Sequence, residues 1–123
     1  MNDTGTTSVQ TGRKFEQKAC RYLQHQGLVL LAQNFHCPGG EIDLVMRDNE
    51  YLVFIEVRYR RHSAYGNGVE SIDWRKQQRL ISCAGRYLQL RQHTTQAVRF
   101  DVISFSQNRG EENLQWIKDA FQA

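Results

Sequence analysis

Long hydrophobic runs are missing from this sequence of 123 residues. Its longest uninterrupted apolar stretches have five residues, whereas a membrane-spanning helix needs about 20 and a signal-peptide core about 7–15. We therefore expect neither a membrane span nor a secretory leader. Apolar residues make up 40% and charged residues 24% of the chain, which is typical of a single globular domain.

Cysteine is scarce, and histidine lacks any metal-binding pattern. The three cysteines (Cys20, Cys37 and Cys83) are far apart and include no CxxC pair. An odd, sparse set argues against a secreted disulfide framework and against a structural zinc site. We therefore predict three reduced thiols in a cytoplasmic protein. The four histidines have neither HxH nor HExxH spacing, so no metal is assigned to them.

The net charge of +3 is too small to establish a nucleic-acid partner, but the charge is unevenly placed. From Arg58 to Arg91 there are eight basic and two acidic residues, a net charge of +6. Such a segment indicates a phosphate-binding surface, although a solvated face can look the same. The predicted nucleic-acid contacts are Arg60, Arg61, Arg75, Lys76, Arg79 and Arg86. The loop that begins with Arg60 and Arg61 also contains Tyr65, so it either holds a flexible strand or is an ordinary polar loop.

Apolar spacing predicts two helices and four or five strands. Residues 1–11 are polar and are expected to form a flexible tail, which leaves residues 12–123 as one domain. A helix is predicted over residues 12–26, with Thr11 as its N-cap and Gly27 at its end. A second helix is predicted from Ser71 or Asp73 to about residue 90, with Trp74 on its apolar side. Strands are predicted over residues 28–35, 41–47, 51–59 and 97–105, with a short fifth strand over 114–117.

The order of these elements predicts a mixed sheet. The tight reversal at Asp48 and Asn49 favours an antiparallel hairpin, and the helix between the third and fourth strands suits a parallel crossover. The third strand begins with five consecutive apolar residues, which indicates burial on both faces and a central position.

Two of these strands carry acidic residues in positions that need an explanation. In the second strand, Glu41 and Asp43 are expected on one face, with Ile42 and Leu44 on the other. In the third strand, Glu56 interrupts an apolar run. An unpaired buried carboxylate costs several kcal/mol, so Glu56 needs a cation. The cation is either an arginine, from position 58 or from the second helix, or a Mg²⁺ ion shared with Asp43.

The ordered set of motifs resembles the D…(D/E)xK signature of the restriction-endonuclease-like nucleases, which include Holliday-junction resolvases and tRNA-splicing endonuclease-like domains. It is most similar to the YraN family of small bacterial proteins predicted to be endonuclease-like, and the similarity covers nearly the whole chain. The segments that carry it are GRKFE at 12–16, GEIDLV at 40–45, FIEVRYR at 54–60, RKQQRL at 75–80 and RFDV at 99–102. The resemblance implies an α/β fold with a restriction-endonuclease-like αβββαβ core, in which helices flank a mixed central sheet.

The resemblance also implies roles for individual residues. Asp43 and Glu56 would be metal ligands, and the carbonyl of Val57 could also face the metal. Glu41 shares the predicted face of Asp43, but it could equally pair with a neighbouring arginine. Glu16 matches a helical glutamate that some resolvase-like members add to the site, although a solvated helix charge is an equal alternative.

One position departs from the family pattern. Most active members of the broader group carry lysine where this chain has Arg58. Arginine keeps the charge and could clamp a phosphate, but it cannot give up a proton and it presents a wide planar group. Lys76 could take the place of the missing lysine, or it could be a surface charge.

These observations lead to one main expectation and two alternatives. The main expectation is a Mg²⁺- or Mn²⁺-dependent endonuclease that acts on structured or branched DNA, with Asp43, Glu56, Arg58 and Glu16 as its catalytic residues. The alternatives are a catalytically inactive nucleic-acid-binding module and a protein-interaction domain. Nucleic acid is the expected partner, with DNA favoured over RNA. A homodimer is also considered, because resolvase-like proteins often dimerise.

Overall fold

The computed structural model describes residues 8–60, 72–92 and 97–123. These form two helices and five strands: α1 (Ser8–His25), β1 (Val29–Cys37), β2 (Gly40–Asp48), β3 (Tyr51–Arg60), α2 (Trp74–Arg91), β4 (Ala97–Asn108) and β5 (Glu111–Phe121). The mixed α/β class predicted from the sequence is confirmed. Most of the predicted loop that begins with Arg60 and Arg61, including Arg61 and Tyr65, lies outside the described residues, as does the candidate N-cap Ser71.

The five strands form one mixed sheet in chain order, with β3 at its centre. The β2–β3 hairpin is antiparallel, with Asn49 at a φ of +55° in the turn, and β3 pairs with β4 in parallel. Both pairings were predicted, as was the central position of β3, where residues 52–56 are all buried. The sheet therefore places the acidic strands β2 and β3 side by side in its interior.

The two helices build one core on each side of the sheet. Phe15, Ala19 and Leu23 of α1 pack against Met46, Val53 and other sheet residues. On the other side, Leu80, Ala84 and Tyr87 of α2 pack against Phe54, Phe100 and their neighbours.

Several predicted boundaries are wrong. Helix α1 begins at Ser8 rather than at residue 12, so Thr11 lies inside the helix and is not its cap. Strand β5 has 11 residues rather than the predicted four. The polar residues 111–113 gave no apolar signal, yet they pair with residues 106–108 of β4. The strand is distorted at Asp119 (φ +53°), whose N–H donates to the buried Asp101 carboxylate at 3.0 Å. The end of α1 before Gly27 (φ +99°) and the N-cap Asp73 agree with the prediction.

The cysteines and Trp74 also differ from the prediction. Cys37 and Cys83 form a disulfide, while Cys20 is free and buried. The fold places the end of β1 against α2, with the two Cα atoms 5.7 Å apart, a contact between residues 46 positions apart that spacing alone could not reveal. Trp74 was expected on the apolar side of α2, but it is 69% exposed because it lies in the first turn, beyond the part of α2 that packs on the sheet.

Candidate metal centre

The candidate site lies where β2 separates from β3. The ladder between these strands extends from the pair Asp48–Tyr51 to the pair Leu44–Ile55. Beyond that point, the backbone N–H of Val57 donates to Asp43 Oδ2 at 2.8 Å. A side-chain oxygen of Asp43 therefore accepts a hydrogen bond from the β3 backbone just beyond the regular ladder. This hydrogen bond holds the Asp43 carboxylate against β3.

The separation of the strands changes which side chains share a face. Ile42 packs in the core below α2, whereas Leu44 packs in the core below α1. The expectation that these two residues point the same way is therefore wrong. The opposing stretch of β1 is also irregular, because Asn34 has a φ of +49° between the pairs Gln33–Leu44 and Phe35–Ile42. Regular alternation fails here because both strands are distorted at the same level.

The distortion brings three acidic residues together. One carboxylate oxygen from each of Glu16, Glu41 and Asp43 lies within 4.8 Å of the others. The Asn34 side chain joins two of them, because its Nδ2 donates to Glu16 Oε1 at 2.8 Å and to Glu41 Oε2 at 3.1 Å. Glu41 also lies 3.2 Å from His36 Nδ1, so its neighbour is a histidine rather than the arginine considered from the sequence.

Asn34 is a site residue that the sequence reasoning missed. Asparagine is unfavourable in strands but tolerates positive φ better than other residues with a side chain. An asparagine inside a predicted strand was therefore the available signal for a local distortion.

Glu56 is buried and lies between two cations. Its Oε2 is 3.2 Å from Lys76 Nζ and 3.9 Å from Arg58 Nη1. The side chain of Glu56 is only 8% exposed. The requirement for a cation partner is thus met, but the nearest partner is a lysine of α2 and not an arginine. Lys76 belongs to this site as well as to the basic helix.

The surroundings of Asp43 strongly raise its pKa. Burial raises the pKa of Asp43 to about 8, with further contributions from the negative charge of Glu56, the charge of Glu16 and a hydrogen bond with Glu56. The hydrogen bond from the Val57 N–H acts in the opposite direction, lowering this pKa. The raised pKa favours the protonated form of Asp43 near neutral pH when no cation is present.

The donor set fits a hard divalent cation. Carboxylate oxygens are among the ligands that Mg²⁺ uses in proteins. Asp43 is hydrogen-bonded to Glu56 and has an oxygen within 4.8 Å of oxygens of Glu16 and Glu41. A bound cation would replace the proton that Asp43 holds. Glu16, Glu41 and Asp43 are brought together, while Glu56 joins them through its hydrogen bond with Asp43. That Asp43 and Glu56 share one ion stays a prediction.

The predicted nucleic-acid contacts lie mostly on α2. This helix contains five basic residues and no acidic residue. Lys76 and Arg79 line a cavity of about 200 Å³ against Gly39, Gly40 and Glu41. Arg75 is exposed, Arg86 lines a neighbouring cleft beside Cys37 and Pro38, and Arg60 ends β3. A basic cleft therefore adjoins the acidic site.

None of the helices described by the structure is both long and apolar enough to cross a membrane.

The fold and the site together define a small mixed α/β domain with an acidic cluster beside a basic helix. Residues 15–105 match Uncharacterised protein family UPF0102, and the chain belongs to this family.

Relatives in the family align along almost their whole length. The chain is 48% identical to a UPF0102 protein of Nitrosococcus oceani over 112 residues, which cover 90% of each chain. It is 46% identical to one from Pseudomonas syringae pv. syringae, over 96% of this chain and 98% of the relative. A UPF0102 protein of Pseudomonas putida is also 46% identical, over 93% and 94% of the two chains. The resemblance to the YraN family is thereby confirmed at the level of the family.

Proposed function

We propose that this protein is a Mg²⁺-dependent endonuclease, able to use Mn²⁺, that cleaves structured or branched DNA in the cytoplasm. The observation that carries the proposal is the position of Asp43. Its carboxylate accepts from the Val57 N–H at 2.8 Å, is hydrogen-bonded to Glu56 and lies within 4.8 Å of Glu16 and Glu41. Three carboxylates thus meet at one point, with Glu56 bonded to one of them, and a bound cation would relieve the repulsion between their charges.

Asp43 and Glu56 would hold the metal, with Glu41 and Glu16 completing the acidic set. When bound, Mg²⁺ would lower the pKa of a water molecule and neutralise charge on the scissile phosphate. The Val57 N–H fixes the orientation of Asp43, and Asn34 holds Glu16 and Glu41 together. These fixed positions reduce the reorganisation that catalysis would otherwise require.

Lys76 and Arg58 provide positive charge at the same place. Both lie within 4 Å of Glu56, so a phosphate beside this carboxylate meets two cations. We assign to Lys76 the role that lysine has at the position of Arg58 in the nucleases that the sequence resembles. Arg58 then clamps a phosphate oxygen through its planar group.

The basic face of α2 supports nucleic acid as the partner, and DNA is the partner that we propose. Neutralising Arg75, Arg79 and Arg86 together should reduce the salt dependence of binding. The log–log slope should fall by about 0.9 for each duplex phosphate that α2 no longer neutralises. An unchanged slope would show that α2 is not the DNA-binding surface.

The proposal includes a homodimer, which sedimentation with and without DNA would detect.

A cleavage screen tests the activity. Duplex, single-stranded, flap and four-way-junction DNA, together with matched RNA, are incubated with Mg²⁺ or Mn²⁺. We expect cleavage of the branched substrates, and its loss in Asp43→Asn and Glu56→Gln. No cleavage of any substrate by the wild type or by Arg58→Lys would overturn the enzyme proposal.

A catalytically inactive nucleic-acid-binding module is the second candidate. The observation that favours it is the pairing of both cations with Glu56, because Lys76 and Arg58 then neutralise a buried charge instead of acting on a phosphate. Salt-dependent binding without cleavage would identify this case.

A further inference from the structure

Trp74, the first residue of α2, is an exposed aromatic residue. It follows the N-cap Asp73, and 69% of its surface is accessible. The buried residues of α2 are Leu80, Cys83, Ala84 and Tyr87. Since burying apolar surface is worth roughly 25 cal/mol per Å², the exposed indole forgoes stabilisation that a packed side chain would give.

The charges around Trp74 indicate what could cover it. Arg75 follows it directly, and Lys76 in the same helical turn contacts Glu56 at 3.2 Å. Arg79, one turn further, lines the cavity beside Gly39 and Gly40. Apart from its acidic N-cap Asp73, the helix that Trp74 begins carries only basic charged residues. An exposed aromatic ring on a basic helix is a usual combination for single-stranded nucleic acid, since bases stack on the ring and phosphates pair with the charges.

The same surface does not suit a lipid bilayer. A membrane-surface helix inserts a continuous apolar face. Most apolar residues of α2 instead pack against the sheet, and the two exposed ones, Trp74 and Leu90, lie near opposite ends of the helix.

We propose that Trp74 stacks on an unpaired base of the nucleic acid whose phosphate occupies the site. This rests on the proposed function and narrows its substrate class: the substrate carries an unpaired nucleotide beside the scissile phosphate, as at a flap or a branch point. A base inside a duplex has both faces covered by its neighbours, so regular duplex cannot supply this contact.

Tryptophan fluorescence of the full-length protein tests the proposal. The chain has two tryptophans, and the other, Trp116, donates its Nε1–H to Asp101 at 3.0 Å. Titration with oligothymidylate or a flap, in Ca²⁺ to separate binding from cleavage, should quench the emission of the wild type. Trp74→Phe should bind with similar affinity and lose the quenching.

The affinity of Trp74→Ala gives the second measurement. Loss of one stacked base corresponds to about 5- to 150-fold weaker binding, and we expect this for the flap and the single strand, with duplex binding within about twofold of the wild type. Leu90→Ala is the matched control, because Leu90 is 53% exposed near the other end of α2. Neither variant removes a buried side chain, so circular dichroism should be unchanged.

The remaining outcomes of these experiments separate the stacking proposal from the nuclease proposal. An equal loss of duplex and single-strand affinity in Trp74→Ala, or no loss, overturns the stacking proposal while leaving the nuclease proposal intact. If the wild type binds no oligonucleotide, both proposals are overturned. If phosphatidylglycerol vesicles shift the Trp74 emission to the blue and oligonucleotides do not, the surface binds lipid and the stacking proposal is wrong.

Discussion

Lys76 Nζ lies 3.2 Å from Glu56 Oε2, whereas Arg58 Nη1 lies 3.9 Å from the same oxygen. The two cations reach Glu56 from different elements, α2 and β3. Under the proposed function, Lys76 of the helix would take the role of the lysine that the resembling nucleases place two residues after the glutamate, while the strand supplies an arginine.

Lys76→Met should separate the roles of these cations in cleavage. If Lys76 stabilises charge that develops as the phosphate is attacked, single-turnover cleavage should slow by about 10²–10³-fold, while substrate affinity changes much less. Lys76→Arg should retain more activity than Lys76→Met because it keeps the charge. Lys18→Met is a control, since Lys18 pairs with Glu112 outside the site. Equal rates for Lys76→Met and the wild type would contradict the role of Lys76.

The unfolding free energy of the protein should depend on both cations that neutralise Glu56. Arg58→Ala or Lys76→Met alone leaves Glu56 one partner, so each is expected to lower the unfolding free energy by about 1 kcal/mol. The double variant leaves a buried charge unpaired and should cost about 3–5 kcal/mol. Urea melts of the four proteins form a double-mutant cycle, and adding Glu56→Gln to the double variant should restore stability. Additive small losses would show that Glu56 is neutralised by another route.

The raised pKa of Asp43 predicts an unusual pH dependence of stability. Its pKa is raised from 3.8 to about 8 in the folded protein, so the folded state binds a proton that the unfolded state has released. In metal-free protein, this contribution is fully present below pH 4, declines as the pH rises and is lost above about pH 8. Asp43→Asn stays neutral, so melts between pH 5 and 9 should favour the variant increasingly at high pH. Parallel curves would contradict the shifted pKa.

The raised pKa of Asp43 also predicts how Mg²⁺ affinity depends on pH. Because the metal requires the ionised carboxylate, Mg²⁺ affinity should rise as the pH approaches 8, and binding near neutral pH should release a proton. Calorimetry in two buffers of different ionisation enthalpy measures that proton.

Asn34 should control Mg²⁺ affinity through Glu16 and Glu41. Asn34→Gly removes the side-chain donor and tolerates the φ of +49°, so it tests the hydrogen bonds without backbone strain. We expect about 10-fold weaker Mg²⁺ binding, at the lower end for residues that orient metal ligands. Asn49→Gly is the control, since Asn49 also has positive φ but lies in the β2–β3 turn. Unchanged affinity in Asn34→Gly would rule out this role.

The disulfide predicts a redox dependence of stability. Cys37 and Cys83 are 46 positions apart, and a cross-link of that length contributes about 4 kcal/mol in the chain-entropy account, with roughly 2–4 kcal/mol typical of measurement. Reductant should lower the unfolding free energy of the wild type by roughly 2–4 kcal/mol. It should leave the unfolding free energy of the Cys37→Ser/Cys83→Ser double variant unchanged. Equal effects of reductant on both proteins would show that the cysteines are not paired in solution.

Local sequence signals predicted most of the fold. The apolar run of β3 placed it at the centre, and the Asp48-Asn49 reversal gave the hairpin, because both depend on neighbours in the chain. The prediction that Ile42 and Leu44 share a face failed. It assumed that side chains alternate regularly along the strand, but β2 is distorted there.

The candidate site was only partly predictable. Asp43 and Glu56 were identified because acidic residues in buried strands are conspicuous. The pairing of Lys76 with Glu56 depends on how α2 packs over the sheet, and the Cys37–Cys83 bridge depends on the end of β1 meeting α2. Interactions between distant elements leave no periodic trace in one sequence.

The irregular course of β1 has a consequence for self-association. As an edge strand, β1 could offer its free backbone groups to another chain, and Val29 and Leu31 on it are 44% and 39% exposed. The register shift between Leu30 and Ala32 and the positive φ of Asn34 interrupt that edge at two points. An added strand could not keep regular hydrogen bonds along it. The distortion that gathers the carboxylates therefore also disfavours the addition of another strand at the β1 edge.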